Sequence, residues 1–450
     1  MEETITMAQP KFLERIDPNI GAKPLKKTKI IFYGDSPTCA TGFGQVSRNI
    51  LPALHNSGRY EVDILGINYW GDPHEYPFNI WPMAVNQQRD PYGRQRLQQH
   101  LLDPKLEYDI LFFLQDTFIL DFVPAMLENL KKSGKRFKSV FYYPVDGVPK
   151  EAWIQAAHAV DYPITYSQFA KEQSISKVPE IEPKLQVMPH GVNPDVFHPL
   201  PEEHVKQFRQ QFFGPAADKF VITNVNRNQQ RKDIPATIRA FQEFKKQRPN
   251  SLLYLHMAAV DQGWNLPEVI KGFGLDLKED VILPQNFTPS NGFPLEVVNM
   301  IYNASDCVIS TTVGEGWGLS WTEAMACKTP VIFPQNTCLG EYITEETGFP
   351  YPSGGDIDHI TVLPNDNEIP RPTGHLHKMV EQMLLVHDQP EEAKKRADAA
   401  FEMVTNGLLW NEHINPRWVD IFDKIVADSN RSPIETSTDE NTPVFKGEML

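Results

Sequence analysis

A stretch punctuated by proline and glycine, Pro189-His190-Gly191-Val192-Asn193-Pro194-Asp195-Val196-Phe197-His198-Pro199, divides this chain into two halves. No regular element runs through such a segment. On each side of it the same alternation appears, a short apolar or β-rich run followed by a loop and a helix-like stretch. Before it the strand-like runs are 29–34, 62–67, 109–114, 139–143, 162–166 and 185–188, with helical stretches such as 45–54 and 122–132 between them. After it they are 220–225, 251–257, 281–283, 306–310 and 330–333. Alternation of strand and helix predicts parallel sheets covered on both faces, so the expectation is an α/β chain with two Rossmann-like domains facing a central cleft.

From 374 onward the pattern turns helical, with candidates at 376–387, 391–405 and 410–427. The expected organisation is an N-terminal arm at 1–27, a first domain at 28–199, a second at 200–405, a helix at 406–428 and a disordered tail at 429–450. The arm is charged throughout and lacks the apolar stretch and small-residue cleavage site of a secretory signal. No apolar run is long enough to span a bilayer. Cys39, Cys307, Cys327 and Cys338 have neither the spacing of a zinc site nor that of a disulfide framework, which predicts a soluble, cytoplasmic protein. The net charge of -15 argues against a broad basic surface for nucleic acid. The densest basic cluster, Lys131, Lys132, Lys135, Arg136 and Lys138, reads as a solvated helix end before a strand.

The stretch richest in chemistry is Gly314-Glu315-Gly316-Trp317-Gly318-Leu319-Ser320-Trp321-Thr322-Glu323-Ala324-Met325-Ala326-Cys327-Lys328-Thr329-Pro330-Val331-Ile332. Glycines at a strand-to-helix junction let backbone N–H groups approach a phosphate, where the helix N-terminus adds favourable partial charge. Glu323, two helical turns past Glu315, is spaced to offer a carboxylate to nucleotide hydroxyls.

As a whole the string resembles the donor-site signature of the family 4 glycosyltransferases, E-G-F-G-L-P-x-x-E-A-M-A-C-G-T-P-V-I. Trp317 stands for the usual Phe, Ser320 for Pro and Lys328 for Gly. Two further segments resemble the family in the same order: His190-Gly191-Val192-Asn193 to Phe197 is similar to its interdomain N-G-V-D-x-x-x-F, and Asn224 to Asp233 to its V-G-R-x-x-x-x-K-G loop. The resemblance spans about 30 to 387. It implies the GT-B fold, a donor held by the second domain, and a final helix crossing back to the first.

It also implies a retaining transfer from a nucleoside-diphosphate sugar, a UDP-sugar by preference, to an acceptor hydroxyl. Arg227 and Lys232 would bind the diphosphate, with Arg231 as an alternative to Lys232. Glu323 would bind the ribose, and Glu315 the donor sugar or its diphosphate region. Gly316, Trp317, Gly318 and Leu319 would line the donor site, and Gly42, Phe43 and Gly44, in the first strand-to-helix loop, would face it across the cleft. Fixed cations do the work that other folds give to a metal, so neither metal nor cofactor is expected.

The family commonly places a histidine near the sugar where this chain has Asp146, which would either contact sugar or acceptor hydroxyls or cap the next helix. Gly340 and Glu341 are further candidates near the donor. Asp356-Ile357-Asp358 is expected to be a pair of solvated acids, and Tyr69, Trp70, Tyr76 and Trp81 to pack or anchor loops. The opening Asp35-Ser36-Pro37-Thr38 with Thr41-Gly42-Phe43-Gly44 resembles several virus-encoded glycosyltransferases, which adds a hydroxymethylated DNA base to the candidate acceptors beside a glycan, a lipid-linked sugar or a small molecule. A noncatalytic nucleotide-sugar-binding protein on the same scaffold is the alternative from another class.

Overall fold

The computed structural model describes residues 27–83, 90–285, 287 and 292–430. Residues 1–26 of the expected arm and 431–450 of the expected tail lie outside this range. The first half forms a seven-stranded sheet from β1 (Thr28–Asp35), β2 (Tyr60–Ile67), β3 (Ile80–Pro82), β4 (Ile110–Leu114), β5 (Lys138–Tyr143), β6 (Tyr162–Thr165) and β7 (Gln186–Val187). Its order is β3-β2-β1-β4-β5-β6-β7, with parallel pairing throughout. The helices between are α1 (Gly42–Asn56), α2 (Arg94–Leu102), α3 (Val123–Lys132), α4 (Glu151–Ala159) and α5 (Gln168–Lys177).

The second half forms a parallel sheet from β8 (Phe220–Val225), β9 (Ser251–His256), β10 (Val281–Ile282), β11 (Cys307–Ile309) and β12 (Val331–Ile332), in the order β10-β9-β8-β11-β12. Around it stand α6 (Glu202–Phe213), α7 (Ile234–Gln247), α8 (Leu266–Gly272), α9 (Leu295–Asn303), α10 (Leu319–Ala326), the short α11 (Leu339–Tyr342), α12 (Leu376–Asp388) and α13 (Pro390–Gly407). Two small pairs follow the main sheet, parallel β13 (Pro334–Gln335) with β14 (Tyr351–Pro352), and the antiparallel hairpin β15 (Ile360–Val362) with β16 (Pro370–Pro372). Neither β3 nor this hairpin is among the strands read from the sequence.

Both sheets are buried on both faces, which is why their strands read as continuous apolar runs: all five residues of β4 and all six of β9 are buried. The last helix, α14 (Asn415–Asn430), returns to the first domain. Trp418 packs on Phe112 and Tyr142 at 5.5 and 4.8 Å between ring centroids, and Phe422 on Phe112 and Tyr60 at 5.3 and 5.8 Å. Val192 and Leu409 form a parallel bridge where the chain passes between the halves in each direction.

Each sheet reverses its strand order once, between β1 and β4 in the first half and between β8 and β11 in the second. At such a switch point the loops leaving the carboxyl ends diverge and open a crevice. The two crevices face each other.

Candidate active site

In the second domain the crevice is built by the loop after β8 and the loop after β11. Gln230–Lys232 forms a single 3-10 turn and Asp233 then takes a left-handed backbone (φ 44°), which aims Arg231 and Lys232 at the neighbouring loop. Gly318, also left-handed (φ 84°), starts α10. Among the described residues, the backbone N–H groups of Gly316, Trp317, Gly318 and Leu319 have no protein acceptor, as expected for a helix N-terminus open to an anion.

Lys232 Nζ bonds Glu315 Oε1, and Arg231 Nη1 lies 3.3 Å from Glu315 Oε2 while also bonding the Gly314 carbonyl. Lys232 and Glu315 are both buried. Burial pushes the Glu315 carboxyl up, but Lys232 and Arg231 outweigh it and hold it down at about 2. Burial lowers Lys232, opposed by Glu315. Glu315 is braced from beneath, its N–H donating to Thr337 Oγ1 at 3.0 Å and its carbonyl meeting Cys338 Sγ at 3.3 Å.

Glu323, on α10, is also buried, but among the described residues no cation pairs with it. Tyr302 donates to its Oε2 at 2.7 Å, and burial raises the carboxyl to about 7 despite that bond. Trp317 turns its ring into an aromatic cluster with His190, Trp321 and Tyr342, at 5.4, 5.2 and 4.9 Å. Burial lowers His190 to about 3, which keeps it neutral. Among the described residues, Trp317 Nε1, both ring nitrogens of His190 and Tyr166 Oη have no hydrogen-bond partner.

The first domain meets this loop closely. A Cβ on Gly314 would stand 2.0 Å from the Asp146 carbonyl oxygen, so only glycine admits the approach. Asp146 follows β5 and pairs with two arginines of the second domain, Arg231 Nε at 3.2 Å and Arg371 Nη1 at 3.0 Å. It caps no helix: α4 starts at Glu151 with Lys150 at its cap position. Arg371 is fixed in turn by Asp366, at 2.6 Å.

At the first domain's switch point stand Asp35, ending β1, and Asp116, just past β4. Asp35 accepts from Thr41 Oγ1 at 2.5 Å and Asn68 Nδ2 at 3.3 Å, and burial raises its carboxyl. Burial and then the Asp146 charge raise Asp116 to about 7, against Arg231. Thr41 also caps α1, accepting from Gly44 N at 3.0 Å. Gly42 is exposed opposite Leu319, whose Cδ1 is 3.9 Å from the position of a Gly42 Cβ, so the N-termini of α1 and α10 confront each other. Phe43 packs partly into the core beneath.

The structure thus gathers Arg231, Lys232, Glu315 and Asp146 into one ion network. Arg227 stands apart, its Nε 2.7 Å from Asp261 Oδ2 at the outer end of the same loop. Glu341, expected near the donor, accepts from the backbone N–H groups of Gln168 and Phe169 at 3.0 and 2.6 Å, capping α5 of the first domain. Gly340 is exposed beside it. Of the aromatic residues singled out, Trp70 is exposed, whereas Tyr69 is buried and Tyr76 and Trp81 pack against core clusters. Asp116 and Arg371 were not read from the sequence. Asp116 had a signal, since it lies two residues past a strand-like run ending at 114, whereas Arg371 lies in a segment without periodicity.

Two parallel α/β domains with opposed switch points and a returning final helix define the GT-B fold. Residues 205–361 match the family described as Glycosyl transferases group 1. The chain is 25% identical over 269 residues to the trehalose synthase of Pyrococcus horikoshii, a match that covers 56% of this chain and 57% of that protein. The chain therefore spans little more than half the length of that relative. Among solved structures it is similar to sucrose-phosphate synthase from Thermosynechococcus elongatus, with a TM-score of 0.67, 18% identity, and coverage of 89% of this chain and 100% of the other. It is also similar to the Anabaena protein HepE in complex with UDP-glucose, with a TM-score of 0.64, 16% identity, and coverage of 88% and 99%. Among the described residues, no helix is long and apolar enough to cross a membrane. The four cysteines are all free thiols.

Proposed function

We propose that the chain is a retaining glycosyltransferase that takes a UDP-sugar, or a related nucleoside-diphosphate sugar, in the second domain and moves the sugar to an acceptor hydroxyl held by the first. The observation that carries this reading is the ion network at the second switch point, buried Lys232 and half-buried Arg231 against Glu315, beside the unpaired amides of Gly316 to Leu319. A diphosphate entering there gains charge-assisted hydrogen bonds from Arg231 and Lys232, with Arg227 reaching in from the rim once it leaves Asp261. The family match over 205–361 covers this network, and HepE, of the same fold, was solved with UDP-glucose.

In the mechanism, Lys232 and Arg231 stabilise the charge that develops on the departing diphosphate, and the amides at the start of α10 add to that field. The departing phosphate oxygen accepts the acceptor's proton on the face from which it leaves, so no protein nucleophile and no metal are needed. Glu323 binds the ribose hydroxyls. Glu315 holds the two cations in place and contacts the donor sugar. Gly42, Phe43 and Gly44 close over the phosphates, and Asp146 binds sugar or acceptor hydroxyls.

The chain carries a net charge of -15. That balance opposes a polyphosphate backbone and suits a neutral polyhydroxylated acceptor, which favours a carbohydrate over a modified DNA base.

The test is a thermal-shift panel of UDP, GDP, ADP and their sugar conjugates. A ligand at a hundred times its dissociation constant contributes about 2.7 kcal/mol. One nucleotide should shift the native protein selectively, and Glu323→Gln should weaken that shift. Lys232→Ala and Arg231→Ala should each lower turnover at least about tenfold, equivalent to about 1.4 kcal/mol, in the presence of EDTA as in its absence. No shift with any nucleotide, or full turnover in both variants, would refute the assignment; nucleotide binding without transfer or donor hydrolysis would point to a noncatalytic binding protein.

A further inference from the structure

The string Asp356-Ile357-Asp358 carries little on its own, but the fold brings two histidines to Asp356 from opposite ends of the β15–β16 hairpin. His359 lies at the end of the 3-10 turn that leads into β15, and His375 follows β16 at the start of α12. Asp356 Oδ1 lies 2.6 Å from His359 Nδ1, and Asp356 Oδ2 lies 3.9 Å from His375 Nε2, which also meets the Gly354 carbonyl at 2.9 Å. The imidazole rings are stacked face to face, with centroids 3.5 Å apart and planes within 9°.

An imidazole nitrogen that carries no proton offers a lone pair, which His375 Nε2 presents once it leaves the Gly354 carbonyl. One ligand atom from each of the three side chains lies within 4.8 Å of the other two. Donors bound tetrahedrally at about 2.0–2.1 Å stand about 3.3 Å apart, so the two stacked rings, whose in-plane lone pairs run parallel, swing apart to share one ion. Two imidazoles and a carboxylate form a donor set that transition-metal ions of the zinc class take, with water in the fourth position.

We propose that Asp356, His359 and His375 form a binding site for a zinc-class divalent ion that clamps the root of the β15–β16 hairpin. The backbone already closes this root weakly: Gly354 N donates to Thr373 O at 3.0 Å and Thr373 N to His359 O at 2.9 Å. The hairpin carries Arg371 to Asp146 of the first domain, so the ion would brace the arm that spans the cleft. It takes no part in the donor chemistry, and the proposal stands whatever the donor is.

The test uses the full chain freed of metal by a chelator, then titrated with Zn2+ and, separately, with Co2+. The expected result is one equivalent bound, a Co2+ visible spectrum of tetrahedral intensity and a higher melting temperature with Zn2+. His359→Ala and His375→Ala should each weaken binding at least about tenfold, while Cys39→Ser, at the one cysteine that is not fully buried, should not. All three side chains are partly exposed, so the variants should fold, which circular dichroism checks. Failure to bind either ion, or unchanged stoichiometry and affinity in the double variant His359→Ala/His375→Ala, overturns the proposal.

Discussion

Glu315 and Glu323 lie on one loop–helix unit and titrate in opposite directions, because the first has two cations against it and the second has a tyrosine. Glu315, held down at about 2, contributes stability that is present above the ordinary carboxylate range and is lost as the pH falls toward 2. Glu323, raised to about 7, contributes stability that is full below its ordinary value and is lost as the pH rises through 7. Glu323→Gln should therefore remove a stability loss of up to ~3 kcal/mol between about pH 4.5 and 8, measured by chemical unfolding across that range. If native protein and variant keep parallel pH profiles, the buried carboxyl is not the origin. At this scale both glutamates were legible, because they belong to one contiguous string. Their contrast was not, since Lys232 and Tyr302 reach them from other segments.

Among the elements, the strands of both large sheets were legible as apolar runs because burial on both faces leaves no alternation to misread. β3 escaped because Pro77 precedes it and Pro82 ends it, breaking up any apolar run around Ile80 and Trp81. The hairpin escaped for a different reason: Asn365, Asn367 and Glu368 take left-handed backbones, a conformation that apolar periodicity does not register. With it went Arg371, the second domain's cationic partner for Asp146 besides Arg231. The returning helix was expected at 410–427 and begins instead with a π turn over Trp410–Ile414 before α14 runs to Asn430. Trp418 is fully buried between that helix and the first sheet, so Trp418→Ala should cost about 3–5 kcal/mol, seen as a lower unfolding midpoint in urea. A change below about 1 kcal/mol would mean that α14 is not docked in solution.

Across the whole molecule, the cleft is drawn shut by contacts of different kinds: Asp146 between Arg231 and Arg371, Lys150 to Glu368 at 3.0 Å, Glu341 on the N-terminus of α5, and Gly314 against the backbone of Asp146. Gly314→Ala should wedge it open. The expected outcome is a larger radius of gyration by solution scattering and a kcat/KM reduced at least about tenfold, with little change in secondary structure. An unchanged radius and rate would show that the approach at Gly314 is not needed. Sequence spacing foretold two domains and a cleft, but not how far the cleft closes, because closure depends on pairs such as Gln168 and Glu341 that are distant in the chain.

The two chain crossings are joined to each other. Val192 donates to the Leu408 carbonyl at 2.7 Å and accepts from Trp410 N at 3.1 Å, so the outgoing and returning strands are stitched side by side. Two separate tethers would let the domains shear and twist independently; two fused into one leave a single pivot. Opening and shutting then become one coordinate, like a book on its spine, and one pair of labels placed across the fore-edge would report the whole motion.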